Sequence, residues 1–95
     1  MTVMLAVFCS RTQTMVFVER MRGYGVQCSI TQTPPEARVG CGVSARFRAC
    51  DLAIARRIVA RNSFNGFVGF FEWKKIAGQT IVTKVGSSSS MGRYF

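Results

Sequence analysis

VQCSITQTPPEARVGCGVSARF, residues 26–47, is the stretch that decides the fold. Its first part, residues 26–32, alternates Val26, Cys28 and Ile30 with Gln27, Ser29 and Thr31, the period-two pattern of a strand buried on one face. Pro34-Pro35 end that strand, because proline has no N–H to give to a ladder. A loop follows in which Gly40 and Gly42 flank Cys41, and VSARF opens a third strand over residues 43–48.

The flanks complete the pattern. Residues 3–9 (VMLAVFC) form an unbroken apolar run, as expected of a central strand covered on both faces. Ser10, with Gln13 three residues on, has capping-box spacing and starts a helix carrying Met15, Val18 and Met21. That helix is expected to stop at Gly23-Tyr24-Gly25. Downstream, Asp51 is a candidate N-cap for LAIARRIVARN, whose apolar stripe is Leu52, Ala55, Ile58 and Val59. Residues 62–66 read as a turn, and strands are expected near 67–73 and 79–85 with Gly78 between them. The order β-α-β-β-α-β plus one C-terminal strand predicts an α+β domain of ferredoxin-like split βαβ type. Two right-handed crossovers would place both helices on one face of an antiparallel sheet. Residues 1–85 are read as this single domain and residues 86–95 (GSSSSMGRYF) as a flexible Gly/Ser-rich tail.

Composition narrows the chemistry. The 95 residues are 48% apolar and 18% charged, a globular balance. No apolar run reaches the roughly 20 residues of a membrane helix, and the N-terminal run lacks the basic flank of a signal peptide. The expectation is a cytoplasmic protein that does not engage a membrane. The four cysteines, Cys9, Cys28, Cys41 and Cys50, are then read as thiols. They contain no CxxC pair, and the chain has no histidine, so no metal and no cofactor is expected. Without histidine, Ser–His and Cys–His hydrolase chemistry is excluded. A net charge of +9, carried mainly by arginines, suits nucleic acid, phosphorylated small molecules or an acidic protein partner, and does not choose among them.

Cys41 is the residue picked out for function. In the expected topology the third strand lies between the first two, so its start sits beside the end of the first strand and the N-terminus of the first helix. Cys9 and Ser10 belong to that corner. A helix N-terminus supplies partial positive charge and free N–H groups, with Arg11 and Thr12 at its start. Arg38 and Arg46 are expected to add full charges. Such settings lower a cysteine pKa from about 8.5 to roughly 3.5–7.5. Gly40 and Gly42 would leave the sulfur approachable, and Cys9 is a candidate resolving thiol. Cys28 and Cys50 read as small hydrophobes.

Thr33-Pro34-Pro35-Glu36-Ala37-Arg38-Val39-Gly40-Cys41-Gly42, followed by Val43-Ser44-Ala45-Arg46-Phe47, resembles the signature of small bacterial domains described as selenium/sulfur carrier proteins. That signature is a Thr-Pro-x-Glu turn, a short polar stretch, Cys-Gly, and an apolar strand ending in Arg-Phe. The resemblance spans about residues 3–73 and is specific over 33–47. The chain departs from it at Pro35, where the family tends to have Arg, at Arg38-Val39-Gly40 in place of serines, and at Gln13 in place of a frequent histidine. The resemblance implies a carrier rather than an enzyme. Cys41 would hold sulfur or selenium as a persulfide or selenosulfide, Arg38 and Arg46 would stabilise the anion, and the partners would be sulfur- or selenium-transfer proteins.

Two other functions fit the residues. Phe64, Phe67, Phe70, Phe71 and Trp73 on a basic chain suit a nucleic-acid-binding sheet. Here Phe67, Phe71 and Trp73 are expected to share one face. The same strands suit a small regulatory or assembly domain that forms a homodimer through its sheet.

Overall fold

The computed structural model describes residues 2–37 and 40–85, with Glu36 described for its backbone only. The expected site residue Arg38 and the 86–95 tail lie outside these. Strands β1 (Thr2–Phe8), β2 (Cys28–Gln32), β3 (Val43–Arg48), β4 (Phe67–Ile76) and β5 (Gln79–Lys84) form one sheet in the order β2-β3-β1-β4-β5, every neighbouring pair antiparallel. Helices α1 (Arg11–Gly23) and α2 (Leu52–Arg61) complete an α+β chain. As expected, β3 lies between β1 and β2. β5, added on the outside of β4, makes the five-strand order differ from that of a four-stranded split βαβ sheet.

β1 is the centre, and its alternation divides the interior in two. Met4, Ala6 and Phe8 point toward the helices and pack with Phe17, Met21, Phe47 and Ile58. Leu5 and Val7 point to the other face, where Phe71 joins them. Among the described residues, no α-helix covers that face. It is covered by a short 3-10 turn at Pro35–Ala37, by Val82 of β5, and by half-buried Trp73. This double cover explains why six consecutive residues of β1, Val3 to Phe8, are buried.

Several local expectations fail for identifiable reasons. Ser10 does cap α1, accepting a hydrogen bond from the Gln13 amide at 3.2 Å. The Gln13 side chain does not turn back to close a capping box. Its Nε2 donates to Asn65 Oδ1 and its Oε1 accepts from the Gly66 amide, tying the helix start to the turn before β4. The buried stripe of α1 is Thr14, Phe17, Val18 and Met21, an i, i+3, i+4, i+7 set, while Met15 is 54% exposed. Ile30 is also exposed, because β2 is the terminal strand. Asp51 precedes α2 but makes no capping bond. Its φ/ψ of −100°/10° is not the extended conformation that aims a cap, and its carboxylate faces Arg48 Nε at 3.5 Å. On β4 the register shifts by one residue opposite Val7/Phe8. This bulge puts Phe67 and Phe70 together on the helix side and leaves Phe71 and Trp73 on the other, so the expected grouping of Phe67 with Phe71 and Trp73 does not occur.

Candidate functional site around Cys41

The loop between β2 and β3 returns across the end of β1. The Cys41 amide donates to the Phe8 carbonyl at 3.1 Å, and the Thr33 amide donates to the Gly42 carbonyl at 2.9 Å. A hydroxyl pair, half-buried Thr33 with buried Ser44 at 2.5 Å, clamps the base of the loop. Cys41 is thereby fixed to β1 on one side and to the β2–β3 ladder on the other.

The two glycines have different reasons to be there. At Gly40, φ is +88° and a Cβ would stand 2.6 Å from Val7 Cγ1 and 3.0 Å from the Phe8 oxygen. Only glycine lets the loop come that close to β1. Gly42 has φ +98° but open space around it, so the conformation alone requires it. Gly40 is thus required by packing against β1, whereas Gly42 is required only by its backbone conformation.

The Cys41 side chain is half-buried. Its Sγ lies 3.6 Å from the Val43 carbonyl, to which the thiol donates, and 4.0 Å from Thr14 Oγ1. Thr14 is fully buried in the first turn of α1, and its hydroxyl donates to the Ser10 carbonyl at 3.0 Å. Sequence reading named Thr12 instead. Two residues along a helix turn the side chain by about 200°, and Thr12 is exposed. Thr14 could have been found from its spacing, since it shares the stripe of Phe17, Val18 and Met21.

The remaining expected residues distribute as follows. Arg11 opens α1 and is exposed at the same corner. Cys9 is exposed next to Phe8, with its amide donating to Gly66, so it turns toward the start of β4 while Cys41 holds the β3 side. Arg46 is not part of the site. It lies opposite Leu5 on the helix-free face, with its guanidinium 5.9 Å from the Trp73 ring, whereas Cys41 faces Thr14 on the helix side. The cause is strand alternation, which gives residues of β3 fixed sides.

The other cysteines are free thiols in different surroundings. Cys28 is buried in the main core, and burial pushes its thiol up to about 11. Cys50 is exposed in the turn before α2. Among the described residues, no group of three or more Cys, Asp or Glu is placed to hold a metal ion, and no helix is long and apolar enough to cross a membrane.

The aromatic residues proposed for base stacking are largely internal. Phe64, Phe67 and Phe70 pack with Phe8, Phe17 and Phe47 at ring distances of 5.2–6.2 Å, and Phe67 meets Phe70 at 4.9 Å. Phe71 is buried on the other face, and Trp73 is half-covered beside Arg46. A stacking platform needs open ring faces. These rings do not offer one.

Comparison with curated proteins and with solved structures found no match. A family model does match, over residues 4–67, a span that runs from within β1 through α1, β2, the Cys41 loop, β3 and α2. With more than half of its length covered, the chain belongs to the family described as "Putative Se/S carrier protein-like".

Proposed function

We propose that this protein carries sulfur or selenium on Cys41, as a persulfide or selenosulfide, between transfer proteins of the cytoplasm. The observation that carries the reading is the placement of Cys41, held in a glycine-flanked loop within the matched span and against the first turn of α1. In loading, the Cys41 thiolate attacks the terminal sulfur of a donor persulfide. The donor S–S bond breaks, the donor leaves as a thiolate, and Cys41 holds the new S–S bond, with no net oxidation. Delivery is the same displacement at the terminal atom by an acceptor thiolate. A selenium atom in the terminal position follows the same balance.

Thr14 serves as the switching donor. While Cys41 is protonated, its thiol points to Val43 and the Thr14 proton is committed to Ser10. When the sulfur carries negative charge, the Thr14 hydroxyl turns toward it, and charge-assisted bonds of this type are the stronger ones. The positive end of α1 and Arg11 act in the same direction. The scaffold in this reading is a ferredoxin-like split βαβ unit with β5 appended, supported by β3 lying between β1 and β2. The protein acts as a carrier, without turnover of its own, and Cys9 is available as the resolving thiol at the same corner.

Exposure to a low-molecular-weight persulfide, followed by intact-mass measurement, tests this. The expected product gains one sulfur atom on Cys41. Loading should survive Cys9→Ser and Cys50→Ser and vanish in Cys41→Ser. Alkylation of Cys41 should also outpace that of a free thiol at neutral pH. Loading that persists in Cys41→Ser would overturn the proposal.

A further inference from the structure

The end of the β2–β3 hairpin remote from Cys41 has its own chemistry. A groove of about 710 Å³ opens there, lined by Arg22, Arg46 and Arg48 together with Val3, Gln27 and Ser29. Each guanidinium is steadied by one contact. Arg22 Nε donates to the Cys28 carbonyl at 2.9 Å, Arg46 lies over Trp73, and Arg48 Nε faces Asp51 at 3.5 Å. Each keeps further N–H groups uncommitted by these contacts. Asp51 is the one carboxylate these contacts bring to the arginines, and among the described residues no acidic side chain lines the groove.

The groove runs into the outer edge of β2, which has no neighbouring strand among the described residues. Thr33 pairs inward toward Gly42, and by alternation Thr31 and Ser29 pair inward as well. Cys28, Ile30 and Gln32 therefore present their backbone groups outward. Arg22 already binds the Cys28 carbonyl, and Ile30 stands 46% exposed beside the remaining groups. The two sides of this edge differ. Arg46 and Arg48 lie on the helix-free face, while Ile30 lies on the helix side with Ala45.

We infer that the β2 edge is a docking site for an acidic, extended segment of a partner protein, which adds to the sheet as a sixth strand. The partner's backbone pairs with Ile30 and Gln32. Its side chains on the helix-free face turn carboxylates toward Arg48 and toward Arg46, which swings from Trp73 to meet them, and those on the helix side set apolar groups against Ile30. A chain of net charge +9 favours an acidic partner over a second copy of itself, which would bring the same arginines together. The free backbone edge favours a peptide over a nucleic acid, which has no strand to add. This inference goes beyond the carrier reading and does not depend on Cys41.

The test titrates the whole chain with a capped peptide of alternating Glu and Val, read by the fluorescence of Trp73, the one tryptophan. Binding is expected at an ionic strength of about 0.01 M and should weaken steeply near 1 M, as the Debye length falls from about 30 Å to about 3 Å. Arg46→Glu with Arg48→Glu should weaken it at least about tenfold, and Cys41→Ser should leave it unchanged. The same peptide N-methylated at alternate positions keeps its charge but loses its backbone donors, and it should bind at least about tenfold more weakly. Equal affinity for the methylated peptide, equal or tighter binding of an oligothymidylate, a β2-mediated dimer in sedimentation, or no binding at low salt would each overturn the inference.

Discussion

Cys28 and Cys41 stand at opposite ends of the same hairpin, and their surroundings have little in common. Cys28 is inside the core, on a regular strand, where burial resists ionisation and its thiol is pushed up to about 11. Cys41 is half-exposed in a loop, with a buried hydroxyl 4.0 Å from its sulfur. A strand residue has its surroundings assigned by alternation, whereas a loop residue can be aimed. The loop here is aimed by Gly40, Thr33 and Ser44, which press it against the end of β1.

The largest expected effect breaks that aim. Gly40→Ala combines a left-handed φ with a clash against Val7 and the Phe8 carbonyl. It should cost about 2–4 kcal/mol in urea unfolding and move the Cys41 loop off β1. If Gly40→Ala unfolds like the parent, the close approach at β1 is not what holds the loop.

Next is the pH response of Cys28. Burial raises its folded pKa from an ordinary 9.0 to about 11, so the folded state keeps the thiol proton after the unfolded chain has lost it. The contribution is fully present below pH 9 and declines as pH rises through the window to about 11. On the order of 1–2 kcal/mol should disappear there, and Cys28→Ala should lose that part of the pH dependence. A Cys28→Ala profile parallel to the parent through this window would show that the cysteine is not its source.

Gly42→Ala is the matched control for Gly40→Ala. It has the same sign of φ but nothing within 4 Å of the added carbon, so it should cost only about 1–2 kcal/mol. Equal costs for the two glycines would remove the distinction drawn between packing and conformation.

The smallest effect sharpens the site itself. Thr14→Val should slow alkylation of Cys41 several-fold at neutral pH, the effect of one lost hydrogen bond to the charged sulfur. Thr14→Ser, which keeps the hydroxyl, should restore the rate. A Thr14→Val protein alkylated as fast as the parent would reduce Thr14 to a packing residue.

Much of this was legible in the chain because periodicity and punctuation are local. The β1 run, the Ser10 cap, the stop at Gly23 and the strand at 43–48 all appear where the residues place them. Even the meeting of Cys41 with the Phe8 corner followed from connection rules alone. Other features had no local signal. The bulge that separates Phe67 from Phe71 arises from register against β1, and Gln13 closes on Asn65 and Gly66, more than fifty residues away, rather than on Ser10.

By itself, then, the sequence determined the α+β class, the order of elements and the prominence of Cys41, because these depend on side-chain period, turn residues and an uninterrupted family signature. Only the tertiary structure decided what surrounds each cysteine. It sent Arg46 to the opposite face, brought Thr14 rather than Thr12 to the sulfur, and covered the helix-free face with the loop that carries Cys41. Those outcomes depend on which face each strand turns inward and how closely two backbones approach. Both are set by packing between residues far apart in the chain.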